Sequence, residues 1–282
     1  MGEFSAQWLG LREPVDHAAR SERVKNAMLA DLRKRHGESL TGLKILDLGC
    51  GSGSNLRAIS PSLGAQQHWT LVDHDEALLA TARTTLKGWA DRVVSDQSDS
   101  LHLISQGVDL VVDFRVADLS VDLEDLLGLQ SDLVSASALF DLVSSDWVDK
   151  VCETLQAPLY AVLSFDGDMQ WDPAQEVDQL VTQAFCLHQT SDKGFGSALG
   201  PRAGQYLRNS LEQRGFIVTM DKSPWLIDNL PSDFHDMLID GVGRAVAETG
   251  RLDQRAIQAW LLTRRSASRC VIGHDDLYAA MP

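Results

Sequence analysis

Apolar residues in this chain fall into two patterns, short unbroken runs and positions spaced three or four apart, and their alternation predicts an α/β protein. Lys44-Ile45-Leu46-Asp47-Leu48 reads as a buried parallel strand. Trp69–Val72, Val108–Ala117, Asp132–Ala136 and Leu159–Phe165 read as four more. Between the first two, three glycines break the run before a helical pattern begins near Asn55. After the second, Asp75 is placed to cap a helix with Leu78, Leu79, Ala82 and Leu86 on one face. Upstream, Val24, Ala27, Met28 and Leu32 predict an N-terminal helix, with Pro14 in a first turn. Strands alternating with helices imply a parallel sheet covered on both faces.

Past the fifth strand the regularity changes. Asp172-Pro173 opens a predicted helix carrying Val177, Leu180, Val181 and Phe185, followed by a loop from His188 to Gly196. A helix from about Arg202 to Arg214, a strand at Phe216–Met220, two helices around Phe234–Val246 and Ile257–Leu261, and a short last strand at Cys270–Ile272 complete the chain. We expect one domain over 1–282, with an N-terminal helical segment at 1–42 and a core at 43–165. Inserted helices at 166–201 and 221–268 would cap the carboxyl edge of the sheet.

Composition narrows the partners. With 25 Lys and Arg against 40 Asp and Glu, the formal charge is −15 and no long basic block interrupts it, which argues against a nucleic-acid substrate. The four cysteines, Cys50, Cys152, Cys186 and Cys270, form no C-x-x-C pair and suit a reducing, cytoplasmic setting. The N-terminus lacks a basic region followed by an apolar core, Gly2 starts no myristoylation signal because Ala6 stands where Ser or Thr is needed, and no stretch approaches ~18 apolar residues; a soluble protein without membrane partners is expected.

The densest chemistry lies at Asp47-Leu48-Gly49-Cys50-Gly51-Ser52-Gly53. Glycines after a strand let the backbone turn and present N–H groups to a ligand. The dinucleotide fingerprint wants its third glycine where Ser54 stands, so the series is instead acid-x-G-x-G-x-G. Asp73, ending the second strand, is placed to accept both hydroxyl protons of a ribose diol, because Asp75 serves the helix cap.

The glycine series resembles motif I of the class I S-adenosylmethionine-dependent methyltransferases, and the resemblance extends over approximately Leu43 to Phe165. It implies a Rossmann-like fold with a mostly parallel seven-stranded sheet, helices on both faces and an inserted helical lid. It also implies S-adenosylmethionine as methyl donor and S-adenosylhomocysteine as product. Asp47, Gly49, Cys50, Gly51, Ser54 and Asn55 of the loop, with Asp73 and His74, become cofactor candidates. By the same resemblance Asp118, with Leu119 beside it, meets the adenine amino group, and Ser135, opening a motif IV-like segment, touches the methionine part through its backbone. That segment lacks the Asn-Pro-Pro-Tyr element, which disfavours adenine or glutamine N-methylation.

Methyl transfer from a sulfonium is an in-line displacement, so the protein mainly positions and desolvates the acceptor. Asp141, just past the fourth strand, and His188 are the catalytic candidates. Trp8, Arg12, Asp166 and Lys193 are the substrate candidates. Trp8, Arg12 and Asp16 share one side if the segment is helical through Pro14, and Lys193 lies in a loop suited to a lid. No His, Cys and acid set has zinc spacing, and no catalytic metal is expected. The expected function is methyl transfer to an O or N atom of a small metabolite. A nicotinamide-dependent oxidoreductase, opposed by Ser54 and Asp47, and a non-catalytic cofactor-binding protein are the alternatives. The acceptor and the oligomeric state are not legible.

Overall fold

The computed structural model describes residues 5–228, 232–266 and 269–281. Gly2, and parts of the segments expected at 1–42 and 221–268, lie outside the described residues. Among the described residues, ten strands form one sheet. They are β1 (Leu43–Leu48), β2 (Gln66–Asp73), β3 (Arg92–Asp96), β4 (Ser100–Ser105), β5 (Val108–Val116), β6 (Leu133–Ser137), β7 (Leu159–Asp172), β8 (Ile217–Lys222), β9 (Trp225–Asp228) and β10 (Arg269–Ala280). The order is β3-β4-β5-β2-β1-β6-β7-β10-β8, with β9 also paired to β10. The centre from β5 to β7 is parallel, as expected, whereas β3, β4 and β10 run antiparallel to their neighbours. Strand order through the sheet reverses at β1, with β2 on one side and β6 on the other, and the carboxyl end of β1 is therefore the position at which open α/β sheets take their ligands.

Helices α1 (Ala6–Ala19), α2 (Glu22–His36), α3 (Ser54–Ile59), α4 (Glu76–Trp89), α5 (Leu123–Leu127), α6 (Ser145–Thr154), α7 (Asp178–Gln189), α8 (Ala203–Gln213), α9 (Ser232–Glu248) and α10 (Gln254–Arg264) cover both faces and the carboxyl edge. On one face α2, α3 and α4 bury Met28, Leu32, Leu56 and Leu86 against Trp69 and Tyr160. On the other α5, α6 and α8 bury Leu126, Val148 and Leu207 against Val134 and Ala161. Asp75 caps α4 as expected, accepting the N–H groups of Ala77 and Leu78.

Several expectations are corrected. Among the described residues the sheet has ten strands rather than seven, because β3, β4 and β9 are only four to six residues long and half exposed, Val93 and Val94 among the exposed positions. Pro14 sits inside α1 rather than opening a helix, and a second helix starts after it, capped by Ser21. The fifth strand runs on through Asp172, so Asp172 ends a strand and the helix expected there begins at Asp178. The last strand spans twelve residues rather than three.

The cap is therefore not purely helical. The outer halves of β7 and β10, joined by β9, rise past the carboxyl edge as antiparallel strands. With α7, α9 and α10 they enclose a third core of Phe165, Met169, Trp171, Trp225, Phe234, Trp260 and Ile272, against which Trp8, Leu11 and Val15 of α1 pack.

Candidate active site

Gly49, Gly51 and Gly53 have φ of 64°, 54° and 74°, the left-handed region that a side chain strains, and so fold the chain sharply from β1 into α3. The turn is pinned from the next strand. Asp73 accepts the Gly51 N–H at 2.8 Å through one carboxylate oxygen and the Asp75 N–H at 3.0 Å through the other. Beside it His74 is exposed, its Nδ1 3.3 Å from Asp73 Oδ1. Cys50 is buried, its N–H donating to the Val72 carbonyl, and burial pushes its thiol well up.

Beneath the loop, Asp47 is wholly buried. Ser135 Oγ and Asn55 Nδ2 both donate to its Oδ1, at 2.6 Å each, while Oδ2 has no partner among the described residues. Burial raises its carboxyl to about 6 against the pull of Ser135, Asn55 and Arg20. Arg20, between α1 and α2, donates to Asn55 Oδ1 at 2.8 Å and lies against the Tyr160 hydroxyl; among the described residues its buried Nε and Nη2 make no well-formed hydrogen bond. A carboxylate oxygen and two guanidinium nitrogens left open beside a glycine loop are of the chemistry that a zwitterionic amino-acid end requires.

α1 lies across this loop. Leu9 approaches so closely that a Cβ on Gly51 would stand 3.2 Å from its methyl. Glu13 takes Arg57 of α3 in a two-point ion pair, one arm 2.8 Å long, and His17 Nε2 lies 2.9 Å from Ser54 Oγ. Further along the edge, Arg12 Nε donates to Asp16 Oδ2 at 2.7 Å, and Trp225 Nε1 donates to Asp16 Oδ1 at 3.0 Å. The Trp8 ring stacks on Phe234 with centroids 5.3 Å apart, and the Arg12 guanidinium lies 5.5 Å from the Trp225 ring.

Two buried groups face Arg12. Asp141 follows β6; its Oδ1 has no partner, and burial raises its carboxyl to about 6 despite nearby N–H groups and Arg12. His274 sits on β10 opposite Phe165, its ring 4.8 Å from Trp225 and its Nδ1 without a partner among the described residues. Burial, then Arg12, lowers its imidazole to about 4. Asp166, near His274, is held by Lys222 at 2.8 Å and by the Asp168 N–H.

Sequence reasoning thus named four residues that the fold gathers at this edge, Trp8, Arg12, Asp141 and Asp166. Two others lie apart: His188 is in the last turn of α7 rather than in a loop, paired with Glu248 at 2.9 Å, and Lys193 donates to Ser191. Asp118 is exposed beyond β5, accepting from Ser120, which lowers its carboxyl, while Leu119 is buried with its carbonyl taken by Trp147 Nε1. Ser135 is a correction. Its backbone is paired on both sides within the sheet, so it supports the loop through its side chain, and the chain leaves the strand only at Ala138 and Leu139. Arg20, Tyr160, Trp225 and His274 were missed. The last had a signal in the Gly273-His274-Asp275-Asp276 run, polar residues continuing an apolar strand.

The ionised Asp141 gives a test by pH. The folded carboxyl titrates near 6 and the unfolded one near ~3.9, so the folded state holds a proton more readily and this group's contribution falls as pH rises between those values. We expect Asp141→Asn to raise stability at about pH 8 by roughly 1–3 kcal/mol and to match the wild type near pH 4, as followed by thermal unfolding.

Residues 45–159 match a family model described as a methyltransferase domain. No curated protein matches the chain. Among solved structures, a methyltransferase from Geobacter sulfurreducens in complex with S-adenosylhomocysteine is 18% identical over 99% of this chain and 98% of its own, with a TM-score of 0.44. The cyclopropane synthase MmaA2 from Mycobacterium tuberculosis is 13% identical over 99% and 95%, TM-score 0.47. Magnesium protoporphyrin IX methyltransferase from Synechocystis is 12% identical over 100% and 90%, TM-score 0.45. The matched segment spans the glycine loop, Asp73 and the parallel strands, and over it the chain resembles the class I S-adenosylmethionine-dependent methyltransferases.

Proposed function

We propose that this methyltransferase acts on an O or N atom of a small metabolite held between the glycine loop and the cap. The observation that supports this reading is α1, whose Arg12 faces the buried Asp141 and His274 while Trp8 packs on Phe234 of the cap. The −15 charge disfavours a polyanionic nucleic acid as acceptor. Among the described residues no helix is long and apolar enough to cross a membrane. The buried Cys50, Cys152 and Cys270 are free thiols, which suits a reducing, cytoplasmic setting.

In this reading Asp73 holds the ribose of the methyl donor, Arg20 and Asp47 face its amino-acid end, and Asp118 meets the adenine. The donor supplies an electrophilic methyl group on a sulfonium. Arg12 orients an anionic part of the acceptor with the two amino groups that Asp16 leaves open, and Trp8, Trp225 and Phe234 exclude water from the reaction. His188 and Lys193 keep a subsidiary place at the α7 end of the cap.

Calorimetric titration with S-adenosylmethionine, S-adenosylhomocysteine and NAD is the test. Both sulfur compounds should bind and NAD should not; binding of NAD alone would overturn the assignment. Transfer of a labelled methyl group to small O–H or N–H compounds, and none to RNA or DNA, would then support the acceptor class.

A further inference from the structure

We propose that His274 is the proton acceptor of the methyl-transfer step, its unpartnered Nδ1 receiving the proton of an acceptor O–H or N–H that Arg12 and Asp141 help to position. The proposal rests on the methyl-transfer reading above and deepens it, because it requires an acceptor whose nucleophile starts protonated.

Placement is the first support. His274 pairs with Phe165 where β7 passes the carboxyl edge of the sheet, on the side of the glycine loop, and there it is 94% buried by its 6% residual exposure. Its ring is fixed by Trp225 and by Phe165, whose centroids lie 4.8 and 6.3 Å away. A buried imidazole nitrogen without a partner is costly unless a ligand or water completes it. Arg12, which donates only to Asp16 among the described residues, faces both His274 and Asp141 and provides a donor between them, and Asp141 Oδ1 is open in the same way.

Charge is the second. The groups facing the imidazole are Arg12 and Asp16 from α1, Asp166 from β7 and the Ile272 backbone carbonyl of its own strand, with Asp275 and Asp276 following it on β10 and Lys222 of β8 neutralising part of Asp166. Burial and Arg12 keep the ring neutral near pH 7, as a proton acceptor must be. Asp16 and Asp166 then favour the imidazolium once it forms. A weak base suffices: the nucleophile's lone pair forms a bond to the methyl carbon as the carbon–sulfur bond breaks, sulfur keeps that electron pair and leaves as a neutral thioether, and the O–H or N–H becomes strongly acidic as its heavy atom gains positive charge. Its proton passes to Nδ1 and returns to solvent after product release.

Two measurements on the full chain decide this. In ¹⁵N-histidine-labelled protein saturated with S-adenosylhomocysteine, the His274 resonances, assigned by their loss in His274→Gln, should show a neutral ring with Nδ1 unprotonated near pH 7. A protonated Nδ1 there would overturn the proposal whether or not an acceptor is known. Labelled methyl transfer is then compared for catechol, 4-hydroxybenzoate and glycine, and for 5-thio-2-nitrobenzoate, a thiolate already free of its proton. His274→Gln should lower kcat on a protonated acceptor by about 100-fold or more, with S-adenosylhomocysteine affinity and the thiolate rate kept within about threefold. An undiminished kcat, or an equal loss on the thiolate, would also overturn it. Failure of the wild type to bind S-adenosylhomocysteine would instead sink the underlying methyl-transfer reading.

Discussion

Asp73→Ala is expected to weaken S-adenosylhomocysteine binding at least about tenfold, roughly 1.4 kcal/mol, and up to about a hundredfold. Two losses combine. The ribose diol loses the carboxylate proposed to accept its hydroxyls, and Gly51, whose N–H now donates to Asp73 at 2.8 Å, is released from the geometry that its φ of 54° requires. Asp73→Asn keeps one carboxylate-like oxygen and should fall between the two. Calorimetry measures the affinity and thermal unfolding separates it from the fold, which should lose only about 1–2 kcal/mol for the two N–H groups left to find water. Unchanged affinity would remove Asp73 from the cofactor site.

The largest loss of stability is expected from Asp276→Ala, about 3–5 kcal/mol in urea unfolding. This carboxylate, fully inaccessible on β10, accepts the Ser21 N–H at 2.8 Å, the Leu163 N–H at 2.8 Å and the Ser223 hydroxyl at 2.6 Å. It thereby joins the start of α2, the middle of β7 and the connection from β8 to β9. Leu163 has a φ of 58° inside a strand, a strained backbone that persists because its neighbours hold it. Burial raises the Asp276 carboxyl, while Ser223 and the two N–H groups pull it back. Alanine would leave three buried donors unpaired. Asp276→Asn retains an acceptor and should lose less than half as much; equal losses, or none, would show that the three bonds do not carry the junction.

The parallel core was legible because burial on both faces leaves continuous apolar runs, and β1, β2 and β6 appear where those runs stand. The glycine loop was legible for a different reason: a series of positive φ values admits little but glycine, so the backbone requirement is written in residue type. The β3–β4 hairpin and β9 were not, since their residues are half exposed and their pairing is decided by neighbours far along the chain. The extent of β10 was hidden by its own function. Its Gly273-His274-Asp275-Asp276 run breaks the apolar pattern where the strand supplies Asp276 to the junction and His274 to the carboxyl edge.

Within the site, the spacing of Trp8, Arg12 and Asp16 placed them on one side of a helix, but nothing in that spacing says what the side faces. Trp225, Phe234 and His274 reach it from more than two hundred residues away. By itself the sequence determined the α/β core, the glycine turn and the acid after the second strand, because each is set by local backbone preference or by a run of neighbouring apolar side chains. Only the tertiary structure decided that α1 closes over that turn, that β7 and β10 rise into the cap, and that Arg12 faces the buried Asp141 and His274. Those depend on the pairing and packing of distant segments, which local residue type constrains weakly.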